Sequence, residues 1–391
     1  MVGGKLNNAC DSPHEMDIAL LDDCRDRFVP ISYTTPTPFL ITGGLRLVEH
    51  WMIRLGKGVG LDLAMQLDEA ELHLSRNELL LSKWWGYEPR LSPNSSTSIS
   101  ACVLPTNETV AKVMEYVERG ARVVCGGEEL IHGDGEAVED CSLPVLRGAW
   151  DLIKFNHELL LETIPLLGRG DVVSVDSKIR DAHLDTSSGP IAVIGANIVN
   201  PVSIKGPALV GPDCELQSFT LLRPGSVLYW GNVVGGEVKN SVLDKGSRKP
   251  HHGYLGDSYL GKWINLGAGT SVSNLKNTLG HVRFMGRDTG MSKLGPIIGD
   301  WVRSGINSSI MTGKAVGPGS HVYGLVSIDV PPFVFFKNYG EPVMSQVNAD
   351  KLGEIIRRSA DGDEREARLA SMVYEATGKL RIGIGKFNFK L

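Results

Sequence analysis

Apolar residues recur at every sixth position in three runs: Val210, Leu216, Leu222, Leu228 and Val234; Leu260, Leu266 and Val272; and Ile310, Val316, Val322 and Ile328. A sustained period of six belongs neither to an amphipathic helix, which repeats at about 3.6, nor to an ordinary strand, which repeats at about two. It matches a hexapeptide β-helix, in which each hexad gives one short strand and one turn and stacked coils bury the inward apolar residue. The 46 glycines among 391 residues exceed the usual share of roughly 7%, and tight corners account for them: glycine follows the apolar residue in Val210-Gly211, Leu266-Gly267 and Val316-Gly317. The competing reading, an all-β sandwich with accidental spacing, would have to produce three such runs in one region.

Outside this stretch the signals are those of an α/β layer. "MDIALL" reads as a buried strand, a helix is expected around 45 to 55, and "LPTNETVAKVMEYVERGARVVCGG" has a polar cap near Thr106 or Asn107. Val110, Val113, Met114 and Val117 follow at helical spacing, with Gly120 as the stop before the strand "ARVVC". "SPNSSTSIS" at 92–100 reads as a surface loop. The expected organisation is an α/β domain over 1–143, a connecting helix over 144–167, the β-helix over 168–332 and a C-terminal helix and tail over 333–391. Residues 275–296 break the period and read as a long loop leaving the coil, a common place for function. After 333 the helical pattern returns, with Leu369, Met372, Val373 and Ala376 on one face and Gly378 as the stop.

A net charge of −5 creates no general field for nucleic acid or an anionic membrane, so the expected partners are small molecules. No stretch approaches the ~18 apolar residues of a membrane span, and the first residues lack the apolar core of a signal peptide, so a cytoplasmic protein is expected. Cys10, Cys24, Cys102, Cys125, Cys141 and Cys214 lie far apart without zinc-site spacing; reduced, structural thiols and no metal site are expected. "LGKGVG" at 55–60 imitates a phosphate loop but follows a helix-like segment, which makes its dinucleotide reading weak.

Residues 222–276, "LRPGSVLYWGNVVGGEVKNSVLDKGSRKPHHGYLGDSYLGKWINLGAGTSVSNLK", carry "LRPG", "E-x-K-N", "KGS", "H-x-x-Y-x-GD" and "N-x-GAGT" in unbroken order. This stretch resembles the acetyltransferase half of the bifunctional uridylyltransferase/acetyltransferase family GlmU. Over most of the chain, "LLDDCRDRFVPISYTTPTP", "AWDLIKFNHELL" and "GINSSIMTGKAVGPGSHVYG" resemble GlmU-like sugar nucleotidyltransferases of bacteria. The resemblance implies a left-handed parallel β-helix that works as a homotrimer with acyl-CoA as donor. It places His251 at the catalytic base, Arg223, Lys239 and Tyr254 on the acceptor sugar phosphate, and Asn265 and Asn274 beside acceptor and base. Ala268, flanked by Gly267 and Gly269, falls at the turn near the thioester. The chemistry agrees with these roles. Acyl transfer needs a neutral amine, an ordinary histidine can take its proton at neutral pH, and backbone N–H groups at Gly267 to Gly269 could stabilise an oxyanion.

Each residue also has a plainer reading. His251 could face solvent, with His252 pointing to the opposite face of a strand; Arg223 and Lys239 could be surface charges; Asn265 and Asn274 could ladder to corner backbone. The turn of Asp22, Asp23, Arg25 and Asp26 is either solvated or a place for Mg-nucleotide, and the tail residues Lys379, Arg381, Lys386 and Lys390 meet either CoA phosphates or solvent. Two departures from the family are plain. Leu275 stands where the family has an aromatic residue, so the acceptor need not be glucosamine-1-phosphate. "IALL" is followed by "DDCRDRFVP", without a glycine-rich triphosphate loop, and "TTPTP" lacks the arginine of related chains. Nucleotidyl transfer, and with it any need for Mg, therefore looks lost or altered. The expected activity is acyl transfer to a small amine-bearing, sugar-like acceptor. The alternatives are a sugar-phosphate nucleotidyltransferase and a non-catalytic trimeric scaffold or sensor.

Overall fold

The computed structural model describes residues 18–93 and 95–385. Its first domain is built on a seven-stranded sheet in the spatial order Arg90–Leu91, Gly60–Asp62, Ala19–Leu21, Ser98–Ser100, Glu128–His132, Arg122–Cys125, Ala137–Glu139. The first four run parallel, as connecting helices require. Leu47–Leu55 is one such helix, and the left-handed Gly56 (φ +68°) closes it, so "LGKGVG" begins as a helix end rather than a phosphate cradle. Asn107–Glu118 is another. Thr106 caps it by accepting from Thr109 N at 3.1 Å, and it buries Val110, Val113 and Val117, with Met114 half-buried. The segment read as a loop ends in the buried strand Ser98–Ser100.

The cysteines correct an expectation. Cys24 and Cys102 follow adjacent parallel strands, which brings their Cα atoms to 6.2 Å, and they form a disulfide. Cys125 pairs with Cys141, Cys214 is buried and free, and Cys10 lies outside the described residues. The expected connecting helix is a short turn, Asp151–Lys154, followed by the helix Asn156–Leu167. No helix among the described residues is long and apolar enough to cross a membrane.

From Val172 the chain winds into a left-handed parallel β-helix with three faces. The first face stacks eight strands, from Val172–Val175 to Ala315–Val316. Inward Val193, Val210, Leu228, Leu243, Leu260, Ile298 and Val316 fill the coil, while outward Ala192, Leu209, Val227, Val242, Tyr259, Ile297 and Ala315 pack on the first domain. Both sides of this face are therefore buried. Every residue of the period-six runs is buried except Ile328, which is 42% exposed. The strand His321–Val326 passes its corner without a turn, so the inward residue after Val322 is Val326, four positions on.

Beyond the coil, the expected return of helix is delayed by two strands. Val334–Asn338 pairs parallel with His321–Gly324, and Pro342–Gln346 pairs antiparallel with it. Helices Ala349–Ser359 and Glu364–Ala376 follow; the second buries Leu369 and Val373 and leaves Ala376 exposed. The loop 275–296 carries a small hairpin, Arg283–Phe284 with Arg287–Asp288. Phe284 meets Trp150 edge-on at 6.1 Å, which docks the loop on the first domain, and Tyr259–Leu260 pairs directly with Ile297–Ile298 behind it.

Charges lock the three parts together. Arg46 of the first domain pairs with Asp244 of the coil at 2.9 Å, and Lys262 reaches the same carboxylate at 3.0 Å. Arg76 pairs with Asp300 of the coil and, at 2.7 Å, with Glu366 of the C-terminal helix, which also accepts from Trp301 Nε1 at 2.8 Å.

Candidate functional site

Arg223, Lys239 and Asn274 stack along one edge of the coil, where the third face (Ala182–Asp185 up to Tyr254–Gly256) turns into the first. Parallel coils repeat the same corner at one-strand spacing, about 4.8 Å, so residues far apart in sequence become neighbours. Tyr254 stands beside them, paired in register with Glu237. Asn274 Nδ2 donates to Tyr254 OH at 3.0 Å and to a carboxylate oxygen of Asp257. Arg223 Nη1 lies 2.8 Å from Glu237 Oε1, and Lys239 Nζ lies 3.8 Å from Asp257 Oδ2. Burial first, then Asp257 and Glu237, push the Tyr254 hydroxyl upward, which keeps it a neutral donor.

Two residues that sequence reasoning passed over organise this edge. Asp257, 5% exposed, accepts from Asn274 and, at 2.9 Å, from Asn240 Nδ2. Asn240 Oδ1 in turn accepts from Asn156 Nδ2 at 3.2 Å, and Asn156 Oδ1 accepts from Gly43 N at 3.0 Å. A hydrogen-bonded chain thus runs from the first domain to Tyr254. Asp257 lies inside the "H-x-x-Y-x-GD" motif, which was the available signal.

The histidines occupy the next corner, between the second and third faces. Both are exposed and lie in a bend between Arg248–Lys249 and Tyr254–Gly256, so the alternation of a strand does not set their directions. The His251 carbonyl accepts from Lys249 Nζ at 3.1 Å. Lys249 is buried, donates also to Gly235 O at 2.7 Å, and is pushed down to about 8 by burial. His252 is the histidine nearer the glycine corner: its carbonyl accepts from Gly269 N at 3.3 Å, and a Cβ on Gly269 would sit 3.4 Å from His252 Nε2.

At the Gly267-Ala268-Gly269 corner two amides are already engaged, Gly267 N with Ser304 Oγ at 2.9 Å and Gly269 N with His252 O. The expected oxyanion cradle is therefore not free at those two positions. Asn265 is not part of the Tyr254 group. It bridges Arg248 and Arg303 on the second face. Leu275 forms the neck of the protruding loop, bridged to Lys293.

Asp22 is buried and accepts from Thr37 N at 3.1 Å, Asp23 accepts from Ser100 Oγ at 2.7 Å, and burial raises both carboxyls. The turn is thus partly structural, with Asp23 and Asp26 exposed, and no group of three His, Cys, Asp or Glu among the described residues is placed to hold a metal. Arg381 is buried, with its guanidinium 4.0 Å from the Tyr374 ring centre, so it is not available to CoA phosphates; Lys379 is exposed, and Lys386 and Lys390 lie outside the described residues.

No family model matches the chain. It is 37% identical over 167 residues to a bifunctional sugar-1-phosphate nucleotidylyltransferase/acetyltransferase of Sulfurisphaera tokodaii, covering 36% of this chain and 42% of that protein. It is 30% identical over 213 residues to the bifunctional protein GlmU of Stenotrophomonas maltophilia, covering 53% of this chain and 40% of the relative. The chain thus spans less than half the length of the curated relatives it matches. Among solved structures, the UDP-N-acetylglucosamine acyltransferase of Francisella novicida aligns over 56% of this chain and 94% of its own, at 14% identity and a TM-score of 0.29. The stretch that the sequence relatives share is thus similar to bifunctional GlmU-type proteins, and the fold that carries it is a parallel β-helix of hexapeptide repeats.

Proposed function

We propose that the chain is an acyltransferase that moves an acyl group from a thioester, acyl-CoA, to the amine of a small sugar-like acceptor. The observation that supports this best is the convergence of Arg223, Lys239, Tyr254 and Asn274 on one edge, held by Asp257. The acceptor's polar groups meet Tyr254, Asn274 and the two cations, and a phosphate on it would displace the carboxylates that now pair with Arg223 and Lys239. The amine nitrogen attacks the thioester carbonyl, His251 takes the amine proton, and the C–S bond breaks to release the CoA thiol. Leu275 in place of an aromatic residue favours an acceptor other than glucosamine-1-phosphate.

The working form is a homotrimer. Asn265 and Tyr254 stand on different faces of one coil, so a second copy is what brings Asn265 to the acceptor edge.

The test is release of free thiol from acetyl-CoA and longer acyl-CoAs with a panel of amino sugars and their phosphates, with products identified by mass spectrometry. Wild-type protein is expected to turn over, and His251→Ala to lose about a hundredfold or more in kcat. Full activity in His251→Ala, with loss in His252→Ala instead, would move the base one residue along. No thiol release with any pair would sink the proposal.

A further inference from the structure

On the second face of the coil the stacked rungs turn Leu216, Val234, Leu266, Val322 and Phe336 inward, all of them apolar and buried. Lys249 stands in the same column: it pairs in register with Val234, lies beside the rung of Leu266 and is 2% exposed. Stacking alone would give this place to valine or leucine, since a buried lysine gives up the hydration of its ammonium and the freedom of a long side chain. Its ammonium is used at the next corner. The rung below turns there through two residues, Gly235–Gly236, whereas the histidine bend takes four, Pro250–Gly253, as do the corners at 217–220 and 305–308. His251 and His252 therefore overhang a shortened rung. A Cβ on Gly235 would lie 2.3 Å from Pro250 O, and one on Gly236 would lie 3.0 Å from Lys249 Nζ, so the bare corner leaves the space that the ammonium fills. From there Nζ donates to Gly235 O at 2.7 Å in the short corner and to His251 O at 3.1 Å in the long bend. Ser304, polar in the same column, serves the glycine corner: its Oγ accepts from Gly267 N at 2.9 Å.

We propose that Lys249 is a positioning residue: it ties the His251 bend to the shortened rung beneath it and so fixes where the His251 imidazole stands. This rests on the acyl-transfer reading, in which His251 takes the amine proton. A base on an exposed bend has to be held to within about 0.5 Å of its productive place by groups that do not themselves touch substrate. Other corners of this edge are held from rung to rung by the backbone, Phe219 N donating to Pro201 O at 2.6 Å and Asn307 N to Ala268 O at 2.7 Å. At the histidine bend the lysine ammonium takes that part, reaching from inside the coil across the gap that the short corner leaves. On the other side of the bend the His252 carbonyl accepts from Gly269 N at 3.3 Å, so the two histidines are clamped between Lys249 beneath and Gly269 above. The core forgoes an apolar side chain at this rung, and this rung is the one that carries the histidines, as expected where function overrides the packing rule.

Amide hydrogen exchange of the full chain, followed by mass spectrometry, tests the tether without any substrate. In Lys249→Met, exchange is expected to quicken about tenfold in the peptides that contain Glu237 and Gly269, whose amides donate to Gly253 O and His252 O, and to stay as in wild type around Val227 and Tyr229 on the first face. In acyl-transfer assays the same variant is expected to lose about tenfold or more in kcat while both KM values change by less than about twofold. The double variant Lys249→Met/His251→Ala is expected to be no slower than His251→Ala, because the lysine acts through the histidine. Should Lys249→Met fail to fold by circular dichroism, Lys249→Leu, which places here the side chain that the next rung carries at Leu266, replaces it with the same expectations. Unchanged exchange in both peptides, a rise spread evenly along the coil, or losses that multiply in the double variant overturn the assignment. Absence of turnover with every substrate pair would sink the acyl-transfer reading alone, and the exchange result would still decide whether Lys249 holds the bend.

Discussion

Arg46 Nη2 donates to Asp244 Oδ1 at 2.9 Å across the join between the first domain and the coil, with 0% and 2% of the two side chains exposed. Burial alone would raise the Asp244 carboxyl, but Arg46 and then Lys262 outweigh it and hold it well below the usual carboxylate range. Removing one partner leaves the guanidinium buried and uncompensated. Asp244→Ala is therefore expected to lose about 3–5 kcal/mol. Because the pair ties both parts, urea melts followed by tryptophan fluorescence and by circular dichroism should shift together; a shift confined to one probe would refute a joint unfolding unit.

Asp257 is a positioning residue under the proposed function, since it acts through Asn274 and Lys239. Asp257→Asn keeps the size, and Asn tolerates the left-handed backbone (φ +49°) at this position. It removes the negative charge facing Lys239 and one of two acceptors. The acceptor KM is expected to rise about tenfold, or ~1.4 kcal/mol, while the acyl-CoA KM stays as it was. Steady-state kinetics with each substrate varied in turn decides this; equal changes in both constants would indicate a general loss of structure instead.

Lys249 makes stability depend on pH in a defined direction. Its pKa is about 8 in the folded chain against an ordinary 10.5, so between those values the unfolded chain binds more protons. Stability from this group consequently rises with pH across that window, and the cost of burying the ammonium is fully present below it. Lys249→Met abolishes the term. Urea midpoints measured from pH 7 to 10 should therefore move in favour of wild type, relative to the variant, as pH rises. Parallel curves would contradict it.

The cysteine pairing gives a chemical expectation. Without reductant, Cys24, Cys102, Cys125 and Cys141 should resist iodoacetamide even in denaturant, and peptide mapping should find the two cross-linked pairs. Cys214, whose thiol is buried and pushed up to about 12, should react only after unfolding. Ready native alkylation of Cys214 would argue against its burial.

Much of the architecture was legible because burial in a coil imposes a strict interval. Val210, Leu216 and Leu222 fall on three successive faces and all point inward, so six-residue spacing alone locates them. The interval fails where the local geometry changes: Ile328 is exposed because the strand before it runs straight through a corner, and Val334–Asn338 hides in a segment whose alternation is that of a flat strand. Cys24 and Cys102 are separated by 78 residues, and only the adjacency of their strands brings them together. At the candidate site, Tyr254 and Asn274 could be named from the motif, whereas Asn156 could not. Its place beside Asn240 depends on how the connecting helix docks on the coil.

The loop at 275–296 leaves the coil immediately after Asn274, and the strands on either side of it pair as though it were not there. Its exposed tip can thus change without re-registering any rung above or below, provided Val282, Phe284 and Leu294 keep their buried places against the first domain. The coil offers an insertion point beside Tyr254 and Asn274, and under the proposed function grafting a different loop there is a route to changing which acceptor is admitted while the rungs of the coil stay in register.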